Sequence, residues 1–249
     1  MSVEQVFAGK VALVTGAGKN IGRTIALDLA ARGASVVVNG RSDRAAVDGV
    51  VAEINVAGGQ AIGCLADVSD AAATGAMIQA AVAAFGGIDI LVSNAGLRRQ
   101  TPFLEMSLAD WGEILSVALD GAFILARAGV PHMLGRGGGA IVALSGISNR
   151  VGTPNRCHVS ASKAGLEGLM RSLAVELAEH GITCNTVAPG VVDTVRGASA
   201  GVMPPVAGVP LGRKAAMGEI SAAVRFLAGP DGRYITGQTL HVNGGAFLT

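Results

Sequence analysis

The stretch IVALSGISNRVGTPNRCHVSASKAGLEGLM, residues 141–170, gathers side chains that could do chemistry. Lys163 opens a helical pattern behind a loop that carries Ser145, Ser148, Arg150, Arg156, Cys157 and His158. Histidine moves protons near neutral pH, serine hydroxyls can bind a carbonyl oxygen, and arginine forks suit carboxylate or phosphate. His158 therefore reads as a proton-transfer group. Ser148, with Ser145 beside it, reads as a carbonyl-binding hydroxyl. Arg98 and Arg99 follow the segment SNAG, and with Arg150 and Arg156 they form a set of cations of which at least two are ordinary surface residues. Arg98 and Arg150 are the pair expected to recognise an anionic or strongly polar substrate. Nothing near Cys157 in the sequence would lower its pKa, so it is not taken as a nucleophile.

A second kind of chemistry is written near the N-terminus. After the apolar run VALV comes TGAGKNIGRTIALDLA, residues 15–30. Glycine is needed where a chain turns tightly into a helix and where backbone must approach a pyrophosphate, whose charge is met by free N–H groups and the helix dipole. Gly16, Gly18 and Gly22 meet that need, Ile21 lies among them, and Asn20 occupies a turn position suited to a residue that tolerates positive φ. The second apolar run ends VVVNGRSD, with Arg41 where a carboxylate would select NAD(H). Arg41, with Lys19 on the facing turn, predicts a preference for the 2′-phosphate of NADP(H), NAD(H) being the alternative.

These residues need elements to hold them. Short β-branched runs (VALVTG, SVVVNG, AIGCLADV, IDILVSNAG, GAIVALSG, GITCNTVAPG, GQTLHVNGG) alternate with helical windows such as 21–32 and 71–85. That alternation predicts an α/β fold: one Rossmann-like, doubly wound parallel sheet with helices on both faces, spanning residues 1–249 as a single domain. Ligands of such sheets lie outside the carboxyl ends of the strands, where the segments above fall. Residues 195–211, rich in Gly, Ala and Pro, read as a substrate lid. A further stripe, Leu166, Leu169, Leu173 and Leu177, marks a core-facing helix with Gly181 as its stop.

Composition narrows the remaining classes. Half of the 249 residues are apolar, 15% are charged and the net charge is +1, which points to neither nucleic acid nor a membrane surface. The three cysteines, Cys64, Cys157 and Cys184, show neither a disulfide framework nor metal-ligand spacing, so no metal is expected. No signal segment and no apolar stretch of spanning length is read, so a cytoplasmic protein is expected.

The ordered motifs TGAGKNIG, Asp67–Val68, SNAG, ASKAG, PGVVDT and ITGQTLHVNGG resemble the short-chain dehydrogenase/reductase family over essentially the whole chain. The resemblance implies that Asp67 and Val68 hold adenine, that Asn94, Ala95 and Gly96 line the cofactor, and that Lys163 bonds the nicotinamide ribose. It assigns Pro189, Gly190, Val192 and Thr194 to the nicotinamide side. It also implies a tyrosine four residues before the lysine, a serine and an asparagine, positions that here hold Val159, Gly146 and Ala118. The only tyrosine is Tyr234. A positioned general acid is worth roughly 10²–10⁴ in rate, so another group must move the proton or the chemistry differs. The leading expectation is an NADP(H)-dependent oxidoreductase of carbonyls or secondary alcohols, with His158 or a water held by Lys163 as the acid. The alternatives are a non-redox lyase or epimerase acting on an anionic substrate, and a catalytically silent NADP-binding subunit. By the same resemblance a homotetramer or homodimer is expected, paired through the helix at Leu166 and the one starting near Leu108.

Overall fold

A computed structural model describes residues 4–195 and 206–248. Each apolar run becomes a strand: β1 Val11–Val14, β2 Ser35–Gly40, β3 Gln60–Leu65, β4 Ile90–Ser93, β5 Gly139–Leu144, β6 Ile182–Pro189 and β7 Thr239–Val242. They pair in the order β3-β2-β1-β4-β5-β6-β7, every neighbouring pair parallel. Parallel strands need crossover helices, which cover both faces. The order reverses between β1 and β4, which places the crevice of the sheet there.

The helices are α1 Asn20–Ala31, α2 Arg44–Val56, α3 Ala71–Phe85, α4 Leu108–Leu115, α5 Gly121–Leu134, α6 Ser148–Val151, α7 Cys157–Glu176 and α8 Met217–Ala228. Asp43 caps α2 through the Ala46 amide, and Asp70 caps α3 through Ala72 and Ala73, so two helix starts are fixed by carboxylates accepting free N–H groups. Two apolar clusters form the core. One joins α1, α2 and α8 to one sheet face, through Ile25, Leu29 and Val224 among others. The other joins α3, α5 and α7 to the opposite face, through Ile78, Leu125 and Leu166. Leu169, Leu173 and Leu177 flank that second cluster half-buried, and Gly181 closes the following turn with φ +69°, as the stripe predicted.

The α4–α5 stretch differs from the sequence reading. A π turn, Ser116–Asp120, links the two helices without a break. The resulting helix, Leu108–Leu134, is long and apolar enough to cross a membrane, so the reading that the chain has no stretch of spanning length is corrected. Alternating hydropathy had hidden it, because Asp110, Glu113, Asp120 and Arg127 interrupt the run. In the fold, Ile114, Ala118, Ala122, Leu125 and Met133 of that helix are buried. The expected lid, residues 195–211, lies mostly outside the described residues. Of its described part, Val209 is buried and donates its amide to the Val206 carbonyl.

Candidate functional site

The glycine-rich turn between β1 and α1 is built by Thr15, Asn94 and Asn39, of which the sequence pointed to Asn94 alone, as a cofactor-lining residue. Thr15 donates its hydroxyl to the Val92 carbonyl and accepts the amides of Asn94 and Ala95. Asn94 donates its amide group to the carbonyls of Thr15 (2.8 Å) and Gly16 (3.1 Å), so this side chain shapes the turn. Buried Asn39, at the end of β2, accepts the Gly16 amide and donates to the carbonyls of Gly40, Cys64 and Ala66. A lone polar residue closing a run of valines was the available signal for Asn39.

The turn fits a dinucleotide pyrophosphate. Gly16 holds φ +62°, and a Cβ at Gly22 would lie 2.4 Å from the Gly16 carbonyl oxygen and 2.5 Å from Asn94 Nδ2. Only glycine lets α1 begin that close to the turn, leaving its first amides, including that of Ile21, free to face an anion. Asn20 takes φ +51°, the left-handed conformation expected of it. Its amide exchanges two hydrogen bonds with Val195: Nδ2 donates to the carbonyl and Oδ1 accepts the N–H. Lys19 and Arg41 are both exposed at this end, and Arg41 acts electrostatically on Asp67. The Asp67 carboxyl is held below the usual range, chiefly by the Ser69 hydroxyl at 2.7 Å and the Ser69 amide at 3.0 Å. Val68 is buried against Gly121, where a Cβ would come within 2.8 Å of its side chain.

At the far end of the cleft lie the carboxyl ends of β4, β5 and β6. A Cβ at Gly96 would stand 3.6 Å from Lys163 Nζ, and one at Gly146 would meet nothing nearer than the Pro189 carbonyl at 4.0 Å. Gly96 and Lys163 are thus in van der Waals reach of each other, and a side chain at Gly146 would meet open space. Lys163 donates to the Leu144 carbonyl, and its pKa is pushed down to about 8 by burial and then by Arg98, with Glu167 opposing. Arg98 Nη1 donates to the hydroxyl of buried Thr194 at 3.2 Å. Gly190 passes close against Asn243, Val192 pairs with Ala215, and Pro189 accepts the Ile147 amide, so these residues fix the wall of the cleft.

Several expected roles are corrected by this geometry. His158 is fully covered, and among the described residues the backbone of Arg156 is the one group that acts on its ring as a hydrogen-bond partner, short of ideal hydrogen-bond geometry. Burial holds its pKa below the ordinary value, and Arg99 and Asp110 are among the charges acting on it. As the second residue of α7, it turns into the packing and away from the substrate space. Ser145 donates to buried Glu167 Oε1 at 2.6 Å, which commits its hydroxyl. Ser148 sits in α6 with its carbonyl accepting the Ser160 hydroxyl, and its own hydroxyl makes no hydrogen bond toward Lys163. Arg150, itself exposed, pairs with buried Glu167, so its guanidinium is engaged by a carboxylate of the protein and is not a free anion ligand as expected. Arg99 is held by Asp110 and Glu113 at 2.8 and 2.7 Å. Of the expected catalytic and anion-binding residues, Lys163 and Arg98 lie close enough to act on one another. Val159 and Ala118 are buried. Tyr234 is wholly exposed at the opposite, amino-terminal end of the sheet, beside the starts of β4, β5 and β6. Among the described residues no cluster of His, Cys, Asp or Glu could hold a metal.

The chain matches the sequence family described as Enoyl-(Acyl carrier protein) reductase over residues 16–246. It is 40% identical to the 3-oxoacyl-[acyl-carrier-protein] reductase of Synechocystis sp., covering 96% of this chain and 97% of that one. It is likewise 40% identical to the 3-oxoacyl-[acyl-carrier-protein] reductase FabG of Escherichia coli, covering 97% and 99%. Among solved structures, a dehydrogenase/reductase from Sinorhizobium meliloti superposes with TM-score 0.91 at 36% identity, covering 100% of this chain and 99% of that one. A short chain dehydrogenase from Burkholderia cenocepacia in complex with NADP gives 0.90 at 35%, covering 97% and 99%.

Proposed function

The chain belongs to the short-chain dehydrogenase/reductase family, and from that membership we propose that it is an NADP(H)-dependent oxidoreductase of a carbonyl or secondary alcohol whose proton comes from Lys163. The observation that carries the reading is Lys163 itself. Its ammonium lies next to Gly96, at the carboxyl ends of the strands where space is open at Gly146, and its pKa of about 8 lies close enough to neutrality for proton exchange. NADP binding by the Burkholderia relative supports the cofactor. When bound, the reduced nicotinamide supplies a hydride to the carbonyl carbon.

The chain's residues do the remainder. The turn from Gly16 to Gly22 and the Ile21 amide hold the pyrophosphate, Asp67 and Val68 border the adenine, and Arg41 with Lys19 meets the 2′-phosphate. Asn94 acts on the cofactor through the turn it shapes. Lys163 Nζ orients the ribose and passes one proton, through a water in the space beside Val159 and Gly146, to the substrate oxygen. Carbonyl plus hydride plus proton gives the alcohol. Arg98 and Thr194 border the substrate and favour a polar or anionic group there. The names of the relatives make 3-oxoacyl thioesters the first compounds to try. A second reading, a silent NADP-binding subunit, is favoured by the apolar burial of Val159 and Ala118.

The test is cofactor oxidation by the purified protein with 3-oxoacyl thioesters and a panel of ketones and aldehydes, NADPH against NADH. Turnover with NADPH that falls roughly 100-fold or more in Lys163→Ala is expected. Tight NADPH binding without turnover favours the silent subunit. Substrate conversion without net cofactor oxidation favours the lyase or epimerase, and tighter binding of NADH overturns the cofactor assignment.

A further inference from the structure

Glu167 is buried to 2% exposure, yet it is a carboxylate without a role in the cofactor cleft described above. Burying an ionised carboxylate is costly, and a packed apolar residue of similar volume is often at least as stable. Its surroundings show what it does. Oε1 accepts the Ser145 hydroxyl at 2.6 Å and the Asn149 amide at 3.0 Å, and Oε2 pairs with the Arg150 guanidinium. All three donors lie on the segment leaving β5. One turn earlier on the same helix, Lys163 bonds the carbonyl of Leu144, the residue next to Ser145. Two successive residues at the end of β5 are therefore tied to two successive turns of α7, Leu144 by Lys163 and Ser145 by Glu167. Gly146, which borders the open substrate space, is the next residue along.

We propose that Glu167 is a positioning residue for Lys163: through Ser145 and Asn149 it clamps the end of β5 against α7, so that the ammonium is anchored beside Gly146, and its carboxylate is the counter-charge of the cleft. This rests on the assignment of Lys163 as the working cation, and it adds a specific electrostatic partner to it. The charged and titratable groups around the pair come from each packed element: Arg98 after β4, Arg150 in α6 and His241 in β7. Arg98 pushes the Lys163 pKa down and Glu167 pushes it up. Arg150 neutralises part of the Glu167 charge, and His241, half-buried, feels both Arg150 and Glu167.

The test follows the titration of Lys163 in the cofactor-free protein by NMR of 13C-labelled lysine side chains, with Lys163→Met to assign the signal. Glu167→Gln keeps the shape and most donor contacts while removing the charge. It is expected to lower the Lys163 midpoint by about half a unit or more, the direction in which loss of a nearby negative charge shifts a cation. Arg150→Gln leaves the carboxylate less neutralised, and the midpoint is expected to rise or stay. A merely structural role would loosen the site in both variants and move the midpoint the same way. An unchanged or raised midpoint in Glu167→Gln overturns the proposal, because loosening a buried lysine admits water and raises its midpoint. Should Glu167→Gln fail to fold, Ser145→Ala tests the clamp: the Lys163 resonance should broaden or shift, and an unaltered resonance overturns the clamp. Because the readout needs neither cofactor nor turnover, a failed search for a substrate leaves this result standing, and the two outcomes remain distinct.

Discussion

At the scale of single residues, Lys163 carries a cost that can be measured. An isolated lysine holds its proton to about pH 10.5, whereas Lys163 in the fold gives it up at about 8, because burial and Arg98 disfavour the charged form. A folded pKa below the unfolded one means the unfolded chain binds the extra proton between those values, so stability rises with pH across that window. Below pH 8 both states are charged and the penalty is present in full. Lys163→Met should therefore raise the unfolding free energy at pH 7 by about 1–3 kcal/mol, the upper figure being the shift at 1.36 kcal/mol per unit, reduced by the bond lost to Leu144. Relative to that variant, the wild type should gain stability between pH 8 and 10.5 in denaturant titrations. Cys184, pushed up to about 12 by burial, acts oppositely above pH 9 but does so in both proteins and cancels in the difference. Parallel curves would mean that Lys163 is not held in a desolvated site.

At the scale of elements, α7 decides which side chains reach the cleft. Adjacent helical residues point about 100° apart, so with Lys163 facing the cavity, His158 near the start of the helix falls toward α4. Its buried ring, met only weakly by the Arg156 backbone, is a burden: an unsatisfied buried polar group costs about 1–3 kcal/mol. His158→Leu should leave NADPH turnover within about twofold and keep or raise stability by about 1 kcal/mol. It should also remove a loss of stability expected in the wild type as pH falls below 6.5, where the unfolded imidazole gains a proton that the buried ring resists. A large loss of turnover would return His158 to the acid role. The seven strands and the helix over residues 71–85 were legible because period-2 and period-3.6 patterns set which faces are buried. The glycine turn was legible because positive φ and close approach leave few residue types. What spacing could not supply was the direction of side chains in the β5–α7 region. Arg150 and Ser145 have the right chemistry for a substrate, but both are claimed by Glu167, whose burial depends on the docking of α7 on β5, a contact no local pattern encodes. Asn39 was missed for a related reason, since its four bonds join three separate segments.

At the scale of the molecule, the helix Leu108–Leu134 has two sides. Its buried face packs into the core of its own subunit, while Phe123, Arg127, Pro131 and Leu134, spaced by three or four residues, are exposed along the other. α7 likewise leaves Val175 at 81% exposure beyond the buried stripe. Exposed apolar positions at helical spacing on α5, with Val175 on α7, are what a subunit contact requires, and burying such faces contributes about 25 cal/mol per Å² of apolar surface. A membrane would accept the same apolar face, but Arg127 in its middle is costly in hydrocarbon and tolerable at a protein interface, where it can find a carboxylate. The expected state is a homotetramer or homodimer built on these helices. Sedimentation should give a mass that is a multiple of 24.7 kDa, and Phe123→Asp, which puts an unpaired charge into the contact, should shift the protein toward the single-chain mass while far-UV circular dichroism stays unchanged. A single-chain mass for the wild type would refute assembly through this face. An unaltered oligomer in Phe123→Asp would move the contact elsewhere, with the half-buried segment at the C-terminal end of β7 as the next surface to alter.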